Sequence, residues 1–127
     1  MHSLRPCLTV FVIVFALSVG ATQSAEGGFK EGLAAVKRGD YATALREWRP
    51  LAERGNRGAQ NNLGVMYERG EGVLKDKVQA HMWYNLASIS GDKYASKNRE
   101  NLEKKMTASQ IEKATDLARE WLKKHKK

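Results

Sequence analysis

Asp40 and Asp76, Ala44 and Ala80, Trp48 and Tyr84, Gly55 and Gly91, and Ala59 and Ala95 are five pairs set 36 residues apart. Self-similarity at this period is the mark of stacked helical hairpins, whose units bury their apolar faces only against one another. The fuller copy is AQNNLGVMYERGEGVLKDKVQAHMWYNLASISGDKYA, residues 59–95. Spacing of this kind reports architecture strongly and chemistry hardly at all, so the chain reads first as a scaffold.

The 127 residues allow one domain. Arg5 precedes a segment, LTVFVIVFALSV, that is apolar except for Thr9 and Ser18, and the small residues of GATQSAEGG follow. This order of basic, apolar and small residues predicts a secretory signal peptide over 1–25 and a repeat domain over 26–127. The alternative, an uncleaved anchor, is disfavoured because the segment falls short of the roughly 20 apolar residues that cross a bilayer. Cleavage after Ala21 or after Ala25 stays open, and no stable membrane anchor is expected afterwards.

The only cysteine, Cys7, lies beside this segment, so the mature chain is expected to hold none. Zinc fingers, thiol redox chemistry and cysteine nucleophiles are thereby excluded, and the fold must rest on packing. Loss of Arg5 lowers the formal charge from +8 to +7, with the excess gathered in Lys123, Lys124, Lys126 and Lys127. Export to the periplasm or beyond argues against a nucleic-acid partner. The lysine tail suits either a solvated helix end, where it complements the negative terminus, or an anionic lipid surface.

Six helices follow from the pattern. Phe29, Leu33 and Val36 make a stripe that Gly39 closes, and Asp40 is placed to cap a second helix through Tyr41, Ala44, Leu45, Trp48, Leu51 and Ala52. Pro50 is expected to kink or shorten that helix. Gly55 and Gly58 bracket a turn, after which Ala59, Leu63 and Tyr67 form a stripe and Gly64 allows close helix approach. Gly70 and Gly72 supply the positive φ of a loop, and Asp76 with Gln79 marks the next helix start. Gly91 and Asp92 separate that helix from a fifth. Thr107 and Gln110 make a capping box for the last, which carries Ile111, Ala114, Leu117, Ala118, Trp121 and Leu122 on one face. No stretch alternates like a strand, so the fold class is all-α.

The series Ala59, Leu63, Gly64, Tyr67, Gly70, Gly72, Val73, Asp76, Ala80, Trp83, Ala87, Gly91 and Ala95 resembles the Sel-one-like repeat, a relative of the tetratricopeptide repeat, at every element. The upstream unit, residues 29–55, lacks the long glycine loop. Setting Gly32 against Gly64 drops the offset to 32 there, and that hairpin looks more like a plain tetratricopeptide unit. The tail MTASQIEKATDLAREW resembles the closing helix of exported bacterial members and reads as a solubilising cap. The resemblance implies a short right-handed α-solenoid doing adaptor or assembly work on a protein or peptide.

Catalytic signals are weak beside this. Ser90 and Lys93 have the Ser-x-x-Lys spacing of β-lactam-interacting enzymes, but Gly91 interrupts the helix that the pair needs, and no Ser-Asp-Asn or Lys-Thr-Gly accompanies them. His81 has no second ligand at a metal spacing and reads as a solvent-facing or partly covered side chain. The carboxylates are scattered, leaving acid–base chemistry without a home. Trp48, Trp83, Tyr84 and Trp121 stand beside alanines and glycines at helical spacing, which marks core rather than a binding cleft. No catalytic residue, metal or cofactor is assigned. In relatives of this architecture the first helix of each hairpin lines a concave face. The resemblance therefore places partner binding on Lys37, Asn61, Val65, Glu68 and Arg69, off the Ala59–Leu63–Tyr67 stripe.

Overall fold

The computed structural model describes residues 25–126. They form six helices: α1 Ala25–Lys37, α2 Tyr41–Glu53, α3 Arg57–Arg69, α4 Lys77–Ile89, α5 Lys93–Glu103 and α6 Ala108–Lys124. No strand occurs among the described residues. The apolar segment 8–19 and Cys7, with the export expectation built on them, lie outside the described residues, as does Lys127.

Local chemistry divides the chain. Asp40 accepts from Thr43 N, Asn56 from Ala59 N, Asp76 from Val78 N and Gln79 N, and Asp92 from Ala95 N. Each satisfies N–H groups that the first helical turn leaves without partners. Thr107 and Gln110 complete the capping box in both directions. These caps keep the repeat period: Asn56 precedes Asp92 by 36 residues, as Asp40 precedes Asp76. The Thr43 hydroxyl, 2.6 Å from Asp40 Oδ2, is the main cause that holds that carboxyl below its ordinary range. The connecting turns take their left-handed backbone at Gly39, Gly55, Gly70 and Gly91.

The helices stack in chain order, α1 on α2, α2 on α3, α3 on α4 and α4 on α5. Two glycines set the register. A Cβ at Gly32 would lie inside the Trp48 indole, and one at Gly64 inside the Tyr84 ring. A first-helix glycine facing a second-helix ring is thus the contact that both hairpins share. Helix α6 folds back onto α4 instead of lying along α5. Its Ala118 joins the main core of Ala35, Trp48, Leu51, Leu63, Met66 and Trp83, and Trp121 meets Trp83 edge-on at 6.3 Å and 69°. A smaller cluster, Ala80, Tyr84 and Leu102, ties α5 to α4.

Three sequence expectations change. The buried face of α1 is Gly28, Gly32 and Ala35, while Leu33 is 41% exposed, because the Trp48 ring needs a groove of small residues. Helix α2 continues past Pro50 to Glu53, and Pro50 itself is exposed. His81 is 2% exposed, since α4 is covered by α3, α5 and α6 together.

Candidate functional site

The residues assigned to partner binding are spread unevenly over the surface. Lys37 is exposed at the end of α1, and Arg69 is exposed with Glu71 at 4.0 Å. Val65 is half-buried against the Tyr84–Leu102 cluster. Asn61 and Glu68 are not free. Asn61 Oδ1 accepts from Asn98 Nδ2 at 3.1 Å, and Glu68 Oε2 accepts from the Tyr84 hydroxyl at 2.6 Å. An α3 packed on one side only would have left both open, but here the chain bonds it to α4 and α5 as well.

The contacts of α3 define what remains. Gln60 Nε2 donates to Ala52 O at 3.1 Å on the α2 side, and Gly58 lies against the Phe29 ring on the α1 side. Gly64 meets Tyr84, and Asn61 meets α5. The arc left over runs Asn62 and Arg69 with the uncovered part of Val65, whose other side meets the Tyr84–Leu102 cluster; the spacing of three then four keeps to one side of a helix. Asn62 is half-buried and bonds to no other side chain among the described residues. Its equivalents are Lys30, Leu33 and Lys37 at the offset of 32, and Asn98, Asn101 and Lys105 at the offset of 36. Sequence reasoning missed Asn62 and Leu33 on this face. The two offsets already in the sequence carried the signal that finds them.

Each first helix or the turn after it therefore offers a polar or amide group, a central side chain, and a cation: Lys37, Arg69 and Lys105. Tyr94, 80% exposed at the start of α5, stands at the position equivalent to Gly58. These positions carry the amides of Asn62 and Asn101, the aliphatic side chains of Leu33 and Val65, and three cations.

Other polar groups fasten α4 to its neighbours. His81 Nε2 lies 2.8 Å from Glu103 Oε1, Arg99 Nε lies 3.8 Å from the same oxygen, and Arg99 Nη1 donates to Asn85 Oδ1 at 2.9 Å. This network pins α5 to α4. Burial first, then the hydrogen bond and charge of Glu68, push the Tyr84 phenol far above its ordinary range, so it stays a neutral donor. Ser90 closes α4 and Lys93 opens α5 on opposite sides of the Gly91 turn. Among the described residues no three His, Cys, Asp or Glu side chains come together as a metal would need. No helix among them is long and apolar enough to cross a membrane.

The Sel1 repeat family pattern matches residues 58–92, the α3–α4 hairpin with the turn after it, and residues 108–124, which are α6. No curated protein matches the chain. Among solved structures it is similar to a protective antigen of uropathogenic Escherichia coli strains that displays an SLR fold, at 33% identity and a TM-score of 0.75. The match covers 84% of this chain and 24% of that one, so this chain spans about a quarter of the length of its solved relative.

Proposed function

We propose that this chain, a member of the Sel1 repeat family, is a non-catalytic scaffold that holds an extended polypeptide along its first helices. The observation that carries this is the stripe repeated through the sequences of α1, α3 and α5: Leu33, Val65 and Asn101 in its centre, Asn62 on one side, where Asn98 is already bonded to Asn61, and Lys37, Arg69 and Lys105 on the other. An extended main chain carries donors and acceptors at regular intervals, and the amides of Asn62 and Asn101 meet them with little dependence on sequence. The central positions then select side chains, and the cations favour acidic ones. Lys37, Val65 and Arg69 keep the binding role given to them above. Asn61 and Glu68 act by fixing α3 against α5 and α4.

Export to the bacterial periplasm belongs to the same reading and rests on the basic, apolar and small-residue order of residues 1–25. Intact-mass measurement on protein from the cell envelope tests it: the first residue should fall between Ala21 and Glu26.

The binding face is tested by placing a photo-crosslinking residue at Asn62, at Asn101 and, as a control, at Glu112 on the exposed side of α6. In envelope preparations the first two should capture the same polypeptide, and the variant Asn62→Ala with Arg69→Glu should lose it without change in helicity. Capture through Glu112 alone would end this reading.

A further inference from the structure

The two helix ends that meet at one corner of the molecule form a cleft that neither the scaffold face nor the core uses. Glu53, Arg54 and Gly55 at the end of α2 make one wall, and Trp121, Lys124, His125 and Lys126 at the end of α6 make the other, around about 520 Å³. The Trp121 and His125 rings are stacked, 3.9 Å apart and 11° from parallel. The edge contact of Trp121 on Trp83 anchors this pair to the core. His125 Nδ1 lies 2.8 Å from Trp121 O, and a carbonyl only accepts, so Nδ1 donates and Nε2 remains free.

The cations of this cleft form no ion pair among the described residues. Nearby, Arg119 is held by Asp116 at 2.8 Å and Lys123 by Glu120 at 3.4 Å, but among the described residues Arg54, Lys124 and Lys126 bond to no carboxylate. Nor is Arg54 needed to satisfy the end of α2. The carbonyls of Pro50, Leu51 and Ala52 already accept from Arg54 N, Asn56 N, Gly55 N and Gln60 Nε2. Among the described residues, three cations and the single carboxylate of Glu53 line the cavity, an excess of two formal positive charges that the negative ends of α2 and α6 offset in part. A monocarboxylate would neutralise only one of them, whereas a phosphate monoester neutralises both and accepts from a guanidinium and two ammonium groups together. The stacked rings add a flat apolar wall for the organic part of such an ester.

We propose that the cleft between the ends of α2 and α6 binds a phosphate monoester, lodged between Arg54, Lys124 and Lys126 with its organic moiety against the Trp121–His125 pair. This site is separate from the polypeptide-binding face, and either assignment stands without the other.

Fluorescence reads it directly, because Trp48 and Trp83 are buried and Trp121 is the partly exposed tryptophan. Glycerol phosphate should saturate a change in Trp121 emission, whereas acetate and chloride at matched ionic strength should not. Vesicles of phosphatidylcholine with and without phosphatidic acid separate the two sources: binding to both the soluble ester and the vesicle identifies a free phosphate site, and binding to the vesicle alone identifies a headgroup site. The pair Arg54→Glu with Lys124→Glu should weaken binding by about tenfold or more, the loss expected when two charge-assisted contacts become repulsive. Lys93→Glu with Lys97→Glu, the same charge change on the exposed side of α5, should leave it unchanged. Arg54→Gln with Lys124→Gln, which adds no repulsion, guards against a fold defect. Equal weakening by the cleft and control pairs, or binding neither to glycerol phosphate above the chloride response nor to phosphatidic acid vesicles above those of phosphatidylcholine alone, would overturn the assignment.

Discussion

Tyr84 does two jobs at one position: its ring fills the space above Gly64 and its hydroxyl holds Glu68. Each makes a separate prediction. Replacing a mid-helix glycine by alanine ordinarily stabilises by up to about 1 kcal/mol. At Gly64 the new methyl would enter the Tyr84 ring, so Gly64→Ala should instead destabilise by about 1–3 kcal/mol, and Gly64→Leu by more. Gly28→Ala is the control, since its Cβ meets Leu51 at an ordinary 3.5 Å and should not destabilise. Urea melts of the three variants check the sign. The phenol gives the second. Its folded value lies above the ordinary value of 10.0, so its contribution is fully present below pH 10 and is lost as pH rises through the folded value. Tyrosinate absorbance should show one tyrosine that ionises only as helix is lost, and Tyr84→Phe should remove that phase. Gly64 was legible in the sequence because a glycine beside small residues in a helix has few other uses. The bonds of Asn61 to Asn98 and of Glu68 to Tyr84 were not legible, because a single helix gives no sign of how many neighbours it will touch.

At the scale of elements, what the sequence disclosed was backbone chemistry. Gly39, Gly70, Gly72 and Gly91 take positive φ, and Asp40, Asp76 and Thr107 cap where the spacing placed them. A cap needs only its own next three residues, so it can be read without the fold. Faces are different. In α1 the sequence points to Phe29, Leu33 and Val36; Phe29 and Val36 do pack against the core, but Leu33 is exposed, and Gly28, Gly32 and Ala35 are the buried positions because a tryptophan on α2 must fit there. In α4 the covering helices come from three directions, and this places His81 in the interior beside Glu103. The cap reading gives the prediction at this scale. Asp76 accepts from two N–H groups at 3.0 and 3.1 Å and is exposed. Asp76→Ala should cost about 1 kcal/mol by thermal melting, and Asp76→Asn a small fraction of that.

For the molecule as a whole, α6 decides whether one complete repeat and one shorter hairpin can stand alone. A repeat stack leaves an apolar face at its end, and a final helix with a polar outer side must cover it. Here Ala114, Leu117, Ala118 and Trp121 turn inward, and Glu112, Lys113, Asp116, Arg119 and Glu120 face water. Removing residues 106–127 would uncover Met82, Trp83 and Leu86 on α4, beyond losing the buried area of α6 itself. At about 1.5–3 kcal/mol for each large side chain returned to water, the loss rivals the whole 5–15 kcal/mol by which small domains are stable. A chain ending at Lys105 should therefore show no cooperative melt. Removing only residues 123–127 takes away no core side chain, since residues 122–126 are exposed. That chain should melt within about 0.5 kcal/mol of the full one and keep its polypeptide partner, yet lose the Trp121 response to glycerol phosphate with Lys124, His125 and Lys126. Calorimetry and fluorescence on the two truncations separate these roles. If the chain ending at Lys105 still melts in one sharp transition, five helices suffice for the stack, and the cleft with its Trp121–His125 pair becomes the reason for α6 to be there.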